Sequence, residues 1–91
     1  MSDGADGSIE NLKQRLGMII DACGEIQSAL RLAEDRTDGA MVSLTHTAED
    51  SANDDVAAAL TELGKIKQGI EDYVAAAQQA ADKVAAYRAT R

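Results

Sequence analysis

The side chains best suited to chemistry in this 91-residue chain are few: one histidine, His46, one cysteine, Cys23, and several adjacent acidic pairs. On a helix His46 shares a face with Glu49 and Asp50, the residue types of a carboxylate–histidine metal site. A di-metal centre in a helical bundle draws Glu-x-x-His from two helices and a further Glu from each of two others. Here the order is reversed, and the apolar stripe of the chain carries no carboxylate at its core positions. His46 therefore reads as a solvated side chain near a turn. Cys23 falls among apolar neighbours, where a thiol behaves as a small hydrophobe. A nucleophilic cysteine needs a basic partner, and His46 stands roughly six helical turns away on the same helix. The pairs Glu34-Asp35, Glu49-Asp50, Asp54-Asp55 and Glu71-Asp72 lie outside the apolar register, where they are hydrated. The sequence has neither a calcium loop of Asp-x-Asp-x-Asp-Gly type nor a glycine-rich phosphate loop after a strand. The expectation is a protein without catalytic residues, cofactor or metal.

The elements that must carry these residues follow from composition. Alanine dominates the apolar 45%, the aromatics are Tyr73 and Tyr87 alone, and proline is absent. Without large rings a chain buries many small faces along a seam. Without proline nothing forces a helix to stop. Nine basic residues against sixteen acidic ones give a formal net charge of −7, a poor match for nucleic acid or an anionic membrane, which need clustered Lys and Arg. One cysteine excludes an internal disulfide. The chain carries no apolar run of the ~20 residues that span a bilayer and no signal-peptide pattern. A cytoplasmic address, or export by a route that reads no such signal, is expected.

Residues 1–7 are small, acidic and glycine-rich, and read as a disordered tail, with Ser8 as the first N-cap. From there Ile9, Leu12, Leu16, Ile19, Cys23, Ile26, Leu30 and Ala33 recur at alternating steps of three and four, a heptad register. It continues more weakly through Thr37, Ala40, Leu44 and Thr47. Asp38-Gly39 marks a place for a bend at 38–40, since glycine costs ~1 kcal/mol relative to alanine inside a helix. The polar cluster at 50–54 is the better turn, with Ser51 or Asn53 as the next N-cap. A second register then runs through Ala59, Leu63, Ile66, Ile70, Tyr73, Ala77, Ala80, Val84 and Tyr87. The fold class is thus all-α: one domain over 8–91, helix one about 8–49 and helix two about 54–89, packed as an antiparallel hairpin. Reversal between Glu49 and Asp55 would bring Leu16 near Val84 and Leu30 near Ile70.

The apolar surface is wider than one seam. Ile20 on helix one and Leu60, Val74 and Ala81 on helix two form a second stripe, about 100° from the first. With Ile19, Ile26, Ile66 and Ile70 assigned to the hairpin's own seam, Ile20, Leu60, Val74 and Ala81 become the partner-binding candidates. Two hairpins joined there would close a four-helix bundle. The partner expected is another helical hairpin, this chain itself or a related one, in a homo-oligomer.

A short acidic chain forming an antiparallel helical hairpin without a signal peptide resembles the WxG family of small proteins exported by type VII secretion systems. The resemblance lies in architecture over the whole chain. In motif it is confined to Gly39 of Thr37-Asp38-Gly39, where the family has Trp-x-Gly. The family's Tyr-x-x-x-Asp/Glu export signal has no counterpart, since Tyr73 is followed by Ala77 and Tyr87 by Arg91 at the fourth position. The alanine-rich, arginine-containing composition is also similar to that of small actinobacterial helical proteins. The resemblance implies a non-enzymatic, secretion-associated partner of other helices. From a different class, a cytoplasmic adaptor, antitoxin or regulator could present the same acidic rod to a basic protein.

Overall fold

A computed structural model describes residues 2–49 and 53–90, with side chains from Gly7 onward. Two helices make up nearly all of it: α1 over Ser2–Thr47 and α2 over Asp54–Ala89, of 46 and 36 residues. No strand occurs among the described residues. The helices pack against each other as an antiparallel hairpin with extents of 75 × 15 × 14 Å.

The N-terminal segment departs from expectation. Residues 2–7, read as a disordered tail, continue α1, and Ser8 lies within the helix rather than capping it. Once a helix exists, each added residue gains a backbone hydrogen bond without a new nucleation cost, and proline is absent to stop it. The helix also runs unbroken through Asp38-Gly39, where a bend was expected. Gly39 keeps an ordinary negative φ, as does every described glycine. At the far end Ala48 N–H donates to the Leu44 carbonyl at 3.0 Å. The turn residues 50–52, including the N-cap candidate Ser51, lie outside the described residues. Asn53 caps α2: its backbone is extended, and its side-chain oxygen accepts from the Asp55 N–H at 2.7 Å, with Asp54 and Asp55 in the positive first turn. At the other terminus Thr90 closes the helix through its hydroxyl and its N–H, both donating to the Tyr87 carbonyl.

The core is a thin line. Leu16, Cys23 and Thr37 of α1 meet Ile70, Val74 and Ala77 of α2 as the buried residues. Among the described residues none of the large side chains is completely enclosed. Thr37 satisfies its hydroxyl by donating back to the Ala33 carbonyl at 2.8 Å. No described helix is long and apolar enough to cross a membrane.

Candidate interaction surface

Three rows of residues run along each helix, and their burial shows which of them the hairpin packs inside. The central row is Leu16, Cys23, Leu30, Thr37 and Leu44 on α1, with Leu63, Ile70, Ala77 and Val84 on α2. All of these are buried or half-buried. They belong to the register read from the sequence. The heptad leaves open which neighbouring row completes the seam, because the residue three or four positions away can lie on either side. One flank holds Ile19, Ile26, Ala33 and Ala40, and on α2 Ala59, Ile66, Tyr73 and Ala80. The other holds Ile20, Gln27, Glu34 and Met41, and on α2 Leu60, Lys67, Val74 and Ala81.

The structure completes the seam with the second flank, so the expected roles exchange places. Val74 is buried, and Ile20, Leu60 and Ala81 are half-buried between the helices. These four residues, the partner-binding candidates, instead hold the hairpin together. Ile70 keeps its expected place in the core, but Ile19, Ile26 and Ile66, expected to hold it, are 47%, 51% and 51% exposed. Tyr73 is 64% exposed.

Polar contacts explain why this flank turns inward. Gln27 donates through Nε2 to the Val74 carbonyl at 3.3 Å and to Gln78 Oε1 at 3.1 Å. Lys67 Nζ reaches Asp38 Oδ1 at 2.9 Å. The Arg88 guanidinium lies over Gly17, where an added Cβ would approach it to 3.3 Å. In the pairs 27 with 78, 38 with 67 and 17 with 88 the residue numbers add to the same total, so one register holds along the rod. The bond to Asp38, and then its charge, raise the Lys67 ammonium above its ordinary value.

These contacts also orient the two broad faces of the hairpin. Each joins an inner-flank residue to the residue just after a central-row position: Gln78 after Ala77, Asp38 after Thr37, Gly17 after Leu16. In an antiparallel pair equivalent heptad positions fall on the same side. The polar contacts therefore mark one broad face, and Ile19, Ile26, Ile66 and Tyr73 line the opposite one. Beyond them on that face come small residues, Ala22 and Ala29 on α1 and Gly69 and Ala76 on α2. Ile66, Gly69, Ile70 and Tyr73 share a shallow open groove there with Glu62 and Lys65. Met18, Leu32 and Val42 are also exposed, but on other sides of α1.

The side chains weighed for chemistry stay apart. Cys23 is a free thiol within the core. His46 is exposed and has Glu49 at 3.9 Å. Among the described residues no three potential metal ligands gather. Sequence reading did not foresee that the row of Ile19, Ile26, Ile66 and Tyr73 is exposed, because its residues are the more apolar ones and so were placed inside. Its one signal was the doubling of the stripe. Compared with known proteins, the chain matches no family model, no curated protein and no solved structure.

Proposed function

We propose that the protein is a non-enzymatic helix-binding module, a hairpin that associates with itself or a related hairpin in the manner of WxG-type secretion partners. The observation that carries this reading is the choice of flank. The hairpin closes on Gln27, Glu34 and Lys67 and leaves Ile19, Ile26, Ile66 and Tyr73 in water. A row of large apolar side chains on one face is what a monomeric soluble protein avoids and an interaction surface needs. Closing two hairpins over it makes a four-helix bundle, with every helix burying two sides.

The test has two arms. The chain is co-expressed with the product of the neighbouring gene, and its appearance in the culture medium is followed with and without the host's type VII secretion ATPase. ATPase-dependent release together with a stoichiometric complex of helical hairpins supports the secretion-associated reading. A chain retained in the cell in both strains removes the secretion element.

A second reading, a cytoplasmic adaptor, antitoxin or regulator for a basic protein, draws on a different observation. Asp21, Glu25, Asp35, Asp72 and Asp82 are exposed and lie away from the apolar face. A partner held through them binds more weakly as salt rises, whereas one held by the apolar face does not.

A further inference from the structure

We infer that the broad face carrying Ile19, Ile26, Ile66 and Tyr73 is the docking surface for a second copy of this chain. The inference rests on the helix-binding reading and specifies both its surface and its occupant. Charge favours a second copy on this face. The chain carries −7 overall, yet the positions bordering this face hold Arg15, Arg36 and Lys83 against Asp55 and Glu62. The acidic excess is thus turned to the other sides. Two copies approaching through this face avoid the repulsion that their net charge imposes elsewhere, while a strongly basic partner gains nothing from it. A near-neutral apolar patch is also self-complementary, as an isologous two-fold contact requires.

The face is also large enough. The row from Leu12 to Ala40 covers about 40 Å of helix at 1.5 Å per residue, and the hairpin is 15 Å wide. The face offers at least ~600 Å² per copy, or ~1,200 Å² for the pair, the lower bound of a stable specific interface. Its shape suits packing against another hairpin. Ile19, Ile26, Ile66 and Tyr73 stand as knobs every seven residues, and Ala22, Ala29, Gly69 and Ala76 beside them leave holes of the size helices use. The opposite broad face holds Asp38, Glu71 and Gln78 and lacks this alternation.

Sedimentation equilibrium and circular dichroism of three proteins test the inference: wild type, Ile66→Glu and Gly64→Glu. Both substitutions add one carboxylate to α2, on opposite broad faces. Ile66 is half exposed, and a side chain at Gly64 meets open space, so both variants keep the helical hairpin. The expected result is a wild-type dimer whose dissociation constant rises at least a hundredfold in Ile66→Glu and changes less than threefold in Gly64→Glu. A wild type with the mass of one chain across the micromolar to millimolar range overturns self-docking, and leaves the helix-binding reading to the co-expression test. Equal weakening by both substitutions, or by neither, overturns the assignment of this face while keeping association itself.

Discussion

At Lys67 and Asp38 the helices are joined by charge on a surface both residues share with solvent, with side-chain exposures of 41% and 45%. The ammonium is raised above its ordinary 10.5. A group raised on folding contributes its full stabilisation below the unfolded value and loses it as pH climbs through the folded one. The stabilisation that the ammonium contributes is therefore constant across the neutral range and is lost as pH rises above about 10.5. NMR titration of the Lys67 side chain should show its pKa falling toward that ordinary value in Asp38→Asn. Core residues behave differently from exposed ones at this scale. Leu16→Ala should cost about 2–3 kcal/mol, the lower part of the range for a buried leucine because this core is open to relaxation, and lower the melting temperature by about 10–20 °C. Ile26→Ala in the monomeric hairpin should cost under about 1 kcal/mol, because half of that side chain is already in water. Thermal unfolding at low protein concentration separates the two. This pair also marks the limit of what could be read from sequence. Leu16 lies in the row common to both ways of closing the heptad, so its burial was legible. Ile26 lies in the row that differs, and its greater apolarity pointed inward while Gln27 found amide partners across the seam.

At the scale of the helix, length and order were legible because nothing in the sequence opposes them: no proline, alanine throughout, and one polar cluster placed midway. The caps were legible in part, since Asn53 had the right residue type before two aspartates. Removing its side-chain oxygen in Asn53→Ala should destabilise the hairpin by about 1 kcal/mol, measurable by urea denaturation. The bend at Gly39 was not legible as absent. A glycine's cost is only ~1 kcal/mol, and the packed face on either side of it, with Thr37 and Leu44 against α2, exceeds that. Gly39 has a helical backbone and nothing within 4 Å of an added Cβ. Gly39→Ala should therefore stabilise the protein by about 1 kcal/mol and raise its melting temperature by about 4–8 °C. A decrease would show that this glycine serves a close contact made by the assembled protein. The N-terminal segment was misread on composition, since glycine and acidic residues suit a tail as well as a first turn extended from a helix already formed.

The whole molecule is a rod, with a radius of gyration of 21.0 Å, where a compact domain of this length would have about 12 Å. Its contacts are spread thinly, so stability should grow with anything that covers the exposed row. Melting temperature is expected to rise with protein concentration in the wild type and to be flat in Ile66→Glu, as mass action requires of a dimer that forms only from folded chains. The rod has a further consequence for how such a pair looks in solution. A radius of gyration reports the longest dimension, and two rods laid side by side are no longer than one. In small-angle scattering the dimer should keep a radius near 21 Å while the forward intensity per mass of protein doubles. Rods joined end to end would double that radius as well. Mass per unit length, rather than size, is the quantity that distinguishes a lone hairpin from a bundle.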